Sequence, residues 1–157
     1  PDILLLGKAL GGGMPLGAFV SSVEFMNTMT NNPVLGHITT FGGHPVCCAA
    51  GLAAFQYLQR EALTEEVVQK ATLFKKHLQH PKIERVSGSG LLMAIHFENY
   101  AINKKIIDNC IANGVFTDWF LFAANALRIA PPLTINTSEI EEACAIIRQS
   151  IEDVFKQ

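Results

Sequence analysis

Apolar residues run unbroken from Ile3 to Leu6 and stop at Gly7 and Lys8, a stretch too short for a typical helix and suited to a β-strand buried on both faces. Residues 9–17 then hold Gly11, Gly12, Gly13, Pro15 and Gly17, a density that marks a fixed turn where backbone closely approaches something else. Residues 18–21 predict a second short strand and residues 23–30 a surface helix, ended by Asn31, Asn32 and Pro33. A loop follows over 39–44, and Pro45 stands at the first position of a helix continuing over 46–60. The Cys, Ala and Gly content of that helix implies close packing.

A polar helix is predicted over 64–80, with Glu65 and Glu66 suited to the N-terminal end of its dipole and Pro81 ending it. Beyond Pro81 the period changes to that of strands, over 83–86 and 91–97, joined across Ser87, Gly88, Ser89 and Gly90. Residues 101–113 form an amphipathic helix closed by Gly114. Strand character returns over 115–122 and 127–130. Ser138, with Glu141 three residues on, predicts a capping box for a last helix that gathers Ile140, Ala143, Ile147, Ile151 and Val154 near one face. The pattern after residue 60 is that of an α+β unit, helices over a small sheet. The domain boundary is therefore placed at 1–60 and 61–157, although no Gly/Ser linker marks it.

At 157 residues the chain is long enough for a core without disulfides or structural metal, and too short for a self-sufficient large α/β enzyme. Apolar residues make up 49% and charged ones 17%, against about 25% charged in typical soluble domains. Extensive burial is expected, some of it intermolecular. A net charge of −2 without a basic run argues against nucleic acid as a partner. No apolar stretch approaches the roughly 20 residues that span a bilayer, so no membrane partner is expected. Cys47, Cys48, Cys110 and Cys144 have no metal-type spacing and are expected as reduced thiols in a cytoplasmic protein. His77 and His80, three apart on a polar helix, read as a solvated face, and no metal site is expected. The sequence opens on Pro1 and Asp2 rather than Met, from which a missing N-terminal portion is expected.

Lys8 is the sharpest chemical candidate. It stands between an aliphatic run and a glycine-rich turn, where a partly desolvated amine at a strand end gives up its proton and becomes a nucleophile toward carbonyls. From position alone, the commoner role is a surface lysine closing a sheet edge. The glycines do not form a nucleotide cradle. A Walker loop would need Gly at Asp2 and Ser or Thr at Ala9, and a dinucleotide fingerprint starting at Gly11 would need Gly at Leu16.

The segments Pro1-Asp2-Ile3-Leu4, Gly7-Lys8-Ala9-Leu10-Gly11-Gly12-Gly13 and Pro15-Leu16-Gly17-Ala18 together resemble the cofactor-lysine region of class III (ornithine/acetylornithine-type) pyridoxal-phosphate aminotransferases. Thr39-Thr40-Phe41-Gly42-Gly43-His44-Pro45, followed by Cys48-Ala49-Ala50, is similar to that family's Thr-Phe-x-Gly-Asn-Pro stretch. Leu127-Arg128-Ile129-Ala130-Pro131-Pro132-Leu133 is similar to its C-terminal arginine motif. The matches occur in the family's order and span most of the chain. The resemblance implies an α/β, fold-type I architecture: the C-terminal part of the large cofactor domain, then a small α+β domain. It implies that Lys8 forms the Schiff base with pyridoxal 5′-phosphate and shuttles protons. Thr40 is implied to reach the cofactor phosphate of the neighbouring subunit, so that a homodimer completes each site. Arg128 is implied to pair bidentately with a substrate carboxylate, a task suited to its planar fork. From the residues alone, Thr40 reads as a loop hydroxyl satisfying nearby backbone and Arg128 equally as a structural salt bridge. His44 replaces the family's usual asparagine and is given no catalytic role. Trp119, Phe120 and Phe122 read as core or interface.

The implied reaction is ping-pong amino transfer from an amino acid or ω-amine to an oxo acid such as 2-oxoglutarate. The Asp-Glu-x-x-Gln stretch that partners the pyridine nitrogen in that family is absent from these residues, so the 157 residues alone are expected to be inactive. Two alternatives stay open: a pyridoxal-phosphate mutase or decarboxylase of the same fold, and a non-catalytic dimerisation domain.

Overall fold

The computed structural model describes residues 1–156 apart from Pro33, Leu35 and His37. Packing divides the chain into two units, Pro1–Ala62 and Leu63–Gln157. In the first, β1 (Ile3–Leu6) pairs antiparallel with β2 (Ala18–Ser21), Ile3 opposite Ser21 and Leu6 opposite Ala18. The strand predicted from the aliphatic run is there, but not its burial. All four residues of β1 are exposed, Leu5 the most at 77%. A two-stranded ribbon offers its faces no cover of its own, and strand propensity sets the backbone without supplying the layer that would bury it.

The surface helix is shorter than its pattern. Ser22 Oγ accepts from Phe25 N at 3.3 Å to start α1 (Val23–Asn27). The hydroxyls of Thr28 and Thr30 then donate to the carbonyls of Phe25 and Asn27 at 2.7 and 2.8 Å, the side-chain competition that ends helices at such residues. Of the expected terminators, Pro33 lies outside the described residues. Helix α2 (Pro45–Arg60) has its proline in the first turn, as the pattern requires.

The close packing implied by small residues is realised between α2 and a 3-10 turn over Lys8–Gly11. Gly12 closes that turn at φ +56, and a Cβ there would lie 2.6 Å from the Ala50 carbonyl oxygen and 2.9 Å from Ala54 Cβ. A Cβ on Gly51 would lie 2.7 Å from the Leu10 carbonyl oxygen. Helix and turn thus meet backbone to backbone, and neither can carry a larger residue without moving apart. A Gly12→Ala substitution adds a left-handed penalty to that overlap and is expected to cost about 2–4 kcal/mol. Denaturant unfolding measures it, and a loss under 1 kcal/mol would contradict the tight seat.

The second unit is a four-stranded antiparallel sheet in the order β3 (Arg85–Ser89), β4 (Leu92–His96), β6 (Ala123–Ile129), β5 (Trp119–Phe120). Helices α3 (Val67–His77), α4 (Tyr100–Ala112) and α5 (Thr137–Phe155) cover one face. Met93, Ile95, Leu127 and Ile129 point into that core with Phe74, Ile106, Ile107, Ile140, Ile147 and Ile151. Because successive strand residues face opposite sides, Ala94 and its partner Arg128 fall on the face turned away from the helices.

Three boundaries move from their predicted places. The α5 cap is Asn136, not Ser138: Asn136 Oδ1 accepts from Glu139 N at 3.0 Å while Glu139 Oε2 accepts from Asn136 N at 2.8 Å. Helix α3 is shorter than 64–80 because His80 turns away, its Nδ1 accepting from Lys82 N at 3.1 Å and its Nε2 lying 2.8 Å from Glu152 Oε1. The aromatic run 115–122 contributes only two paired residues, and its Leu121 and Phe122 are 83% and 98% exposed. β6 instead starts at Ala123, in an alanine-rich stretch whose central place between β4 and β5 overrides its weak propensity.

Candidate active site

Lys8 lies one residue beyond the end of β1, across Gly7, and opens the 3-10 turn. Its backbone sits at φ +51, left-handed in a residue with a full side chain, a conformation that costs about 1–2 kcal/mol and persists only where the surroundings impose it. They do so here. The Leu10 N–H donates to the Gly7 carbonyl at 3.1 Å, the Gly12 N–H to the Ala9 carbonyl at 3.1 Å, and the turn rests on the α2 backbone. The Lys8 side chain is exposed, and among the described residues its amine has no hydrogen bond or ion pair.

Thr40 lies in the loop that leads into α2, exposed, its hydroxyl without a partner among the described residues. The Gly42 N–H donates to the Thr39 carbonyl at 3.3 Å and the His44 N–H to the Phe41 carbonyl at 3.2 Å. Gly43 takes φ +70 with open space on its Cβ side. His44 is the residue before α2, and it serves through its carbonyl, which accepts from Cys48 N at 2.9 Å, not through its ring. One helix therefore anchors both features of the first unit: α2 carries the Lys8 turn on its small residues and the Thr40 loop at its start.

Arg128 belongs to the second unit. Its backbone is clamped on both sides, the N–H donating to the Asp118 carbonyl at 2.8 Å and the carbonyl accepting from Thr117 Oγ1 at 2.7 Å. Its half-exposed guanidinium lies 3.6 Å from Asp118 Oδ2. A cleft of about 840 Å3 opens beside it, with walls from Val115, Phe116, Ile129, Pro131, Pro132 and Ile146. Asp118 is the residue that pattern reading missed, since its pairing depends on the β5–β6 register.

The histidines lie elsewhere. His80 is not on a solvated face: its side chain is 10% exposed and ties the end of α3 to Glu152 on α5, while His77 Nε2 lies 3.8 Å from Glu141. Since the Lys82 N–H donates to Nδ1, the proton of His80 sits on Nε2 and is donated to Glu152, whose carboxyl is held below its ordinary value chiefly by this bond. Among the described residues no group of three or more His, Cys, Asp or Glu is placed to hold a metal ion. All four cysteines are free. Burial pushes the Cys144 thiol up to about 12 and raises that of Cys110, which makes both poor nucleophiles.

His96, on the face that carries Arg128, accepts or shares a proton with Ser87 Oγ at 2.9 Å. Burial, helped by the Arg85 charge and opposed by Glu84, holds its imidazole below the ordinary 6.5. A depressed value means that the fold favours the neutral ring. Its contribution is therefore fully present above about pH 6.5 and is lost as acid drives the pH down toward the folded-state value. His96→Gln, which keeps a partner for Ser87, is expected to show a smaller drop in thermal midpoint between pH 7.5 and 5.5 than the wild type. Equal drops would remove His96 from the account.

The sequence matches the aminotransferase class-III family over residues 1–151. The chain belongs to the class III aminotransferases. It is 35% identical over 155 residues to the acetylornithine aminotransferase of Haemophilus ducreyi, covering 98% of this chain and 38% of that protein. The ornithine aminotransferase of Toxoplasma gondii, whose structure shows partial occupancy of PLP at its active site, superposes with a TM-score of 0.86 at 30% identity, over 99% of this chain and 37% of that one. The adenosylmethionine-8-amino-7-oxononanoate aminotransferase of Methanocaldococcus jannaschii gives 0.83 at 26% identity, over 98% and 39%. The chain thus spans less than two fifths of these relatives. Its fold is the α/β, fold-type I architecture of the PLP-dependent transaminases. Among the described residues of this class III chain, no helix is long and apolar enough to cross a membrane.

Proposed function

We propose that the protein of which these residues form part is a pyridoxal 5′-phosphate-dependent aminotransferase, moving an amino group from an amino acid or ω-amine donor to an oxo acid such as 2-oxoglutarate by a ping-pong mechanism. The observation that carries this reading is the left-handed backbone of Lys8 with its free amine. A surface lysine closing a sheet edge has no need of a strained conformation, whereas an amine that must be presented in one direction does.

The residues fit the cofactor. Lys8 would hold it through its ε-nitrogen, and the free hydroxyl of Thr40, next to a loop with open space at Gly43, suits a phosphate. In this reading Thr40 serves the site of the neighbouring subunit, so the working protein is a homodimer. When bound, pyridoxal phosphate supplies the electron sink that stabilises a carbanion at the substrate carbon. The chain's own residues do the rest. Lys8, released when substrate takes its place, carries a proton on its ε-nitrogen to and from that carbon. Arg128 holds the substrate carboxylate by a two-pronged, charge-assisted contact. Residues 1–60 then stand as the last part of the large cofactor domain and residues 61–157 as the small C-terminal domain, in a cytoplasmic enzyme; alone they do not turn over.

Borohydride reduction of the full-length protein with pyridoxal phosphate tests the proposal. The reduced cofactor is expected on the peptide that carries Lys8, and a label elsewhere, or none, overturns the assignment. Transfer that requires no oxo acid would point to the mutase or decarboxylase reading instead.

A further inference from the structure

The sequence holds one Asn-Gly pair, Asn113-Gly114, exposed at the end of α4 and lining part of the cleft. Such a pair carries its own reactants. The amide nitrogen that follows an asparagine can attack the side-chain carbonyl carbon, and glycine is the one follower with no side chain to shield that nitrogen. The native fold ties up both groups. The Gly114 N–H donates to the Ile111 carbonyl at 3.1 Å and the Val115 N–H to the Cys110 carbonyl at 2.8 Å, the paired bonds that close a helix around a left-handed glycine, here at φ +92. Asn113 Nδ2 donates to the Asn109 carbonyl at 2.8 Å. The Asn113 backbone, at φ −102 and ψ 15, turns the Gly114 nitrogen away from the side-chain carbon that it would have to meet. A capped helix end thus holds apart two groups that are adjacent in the chain.

We propose that Asn113 is a self-modification site, converted to aspartate or isoaspartate when the last turn of α4 opens and guarded by that turn while it is closed. The proposal rests on no role of Lys8 or Arg128. In the first step the Gly114 nitrogen gives its proton to base and attacks Asn113 Cγ. A Cγ–N bond forms, the Cγ–Nδ2 bond breaks, and Nδ2 leaves with a proton as ammonia, which closes a five-membered imide. Water then adds to one of the two imide carbonyls and reopens the ring, giving aspartate at one and isoaspartate at the other. Neither product restores the native helix end. Aspartate sets a carboxylate where an amide donor met the Asn109 carbonyl, at the negative end of the helix dipole. Isoaspartate lengthens the main chain by one carbon, and the paired bonds to Cys110 and Ile111 lose their register. Local opening is reversible and the conversion is not, so each event leaves the cleft wall altered.

The test incubates the full-length protein at mildly alkaline pH, native or unfolded in guanidinium chloride. Mass spectrometry follows the peptide that carries Asn113, and enzymatic methylation reads its isoaspartate. In the unfolded chain Asn113 is expected to convert before any other asparagine. In the native protein it is expected to convert at least about tenfold more slowly, the effect of keeping a few hydrogen bonds closed. Ile111→Gly, at an exposed position in the last turn of α4, loosens that turn without touching either reactant. It is expected to raise the native rate about two- to threefold and to leave the unfolded rate unchanged. Asn113→Gln, whose longer side chain closes a ring less readily, is expected to silence the peptide. Equal rates in native and unfolded protein, another asparagine converting first once unfolded, or no conversion in either state overturns the proposal. So does a native rate indifferent to Ile111→Gly, or a signal that survives Asn113→Gln.

Discussion

Lys8→Ala in the full-length protein is expected to lower turnover by at least about 10^3-fold, the combined loss of the covalent anchor and of the positioned proton carrier, while leaving the fold intact. The amine has no partner among the described residues, and its side chain is exposed, so nothing in the packing is lost with it. Lys8→Gly sharpens the point. Glycine is indifferent to φ +51, the angle Lys8 adopts here, and relief of the left-handed strain should raise stability by about 1 kcal/mol, offset in part by the looser unfolded chain. A variant that is inactive yet at least as stable as the wild type would show that the strain serves function and not the fold. A lysine needed only to close a sheet edge would give the opposite pattern: lower stability with activity kept. Steady-state kinetics and denaturant unfolding on the same two variants decide between them.

The position of Lys8 was legible because two strong local signals bracket it, an aliphatic run and a cluster of glycines. Its handedness was not, since φ at a lysine depends on what the turn rests upon. The burial of β1 failed for a related reason. Four consecutive aliphatics record that a strand is to be covered on both faces, but the exposure of Ile3 to Leu6 in these residues shows that the cover is not in the hairpin. The α5 cap is more instructive, because Asn136 and Ser138 each have Glu three residues later and the capping-box spacing alone cannot choose. What chooses is the apolar pair one step outside and four steps inside the cap. With Asn136 as the cap these are Ile135 and Ile140, both packed into the core; with Ser138 they would be Thr137 and Glu142, and no staple forms. That staple is readable from the sequence itself.

Asp118 could not have been found from local pattern. It meets Arg128 only because β5 and β6 form a hairpin with a register shift between Trp119 and Phe120, and an irregular register is fixed by the packing of both faces and not by residue type. Exposed aromatics before and within that hairpin add a strand signal that the structure does not honour. Phe116 and Phe122 have strand-forming side chains, but at 90% and 98% exposure they occupy no pleated, half-buried surface, which is the condition that strand propensity measures.

The observed ion pair gives the second large prediction its discriminating power. If Arg128 exists to pair with Asp118, its removal should cost stability; yet a half-exposed pair at 3.6 Å contributes no more than about 1 kcal/mol. If it exists to hold a carboxylate, its removal should cost binding on the scale of a charge-assisted contact, about 1.5–3 kcal/mol or ten- to hundredfold. Arg128→Ala is therefore expected to raise KM for carboxylate-bearing donors and for the oxo acid by about ten- to hundredfold, with the thermal midpoint nearly unmoved. An amine donor without a carboxylate makes no such contact and serves as the internal control, its KM unchanged or lower. Arg128→Lys should recover only part of the loss, since an ammonium keeps the charge but not the planar fork that meets two oxygens at once. A fall in midpoint with KM unaltered would return Arg128 to the salt-bridge role that its sequence position left open, and the open cleft beside it would then need another occupant.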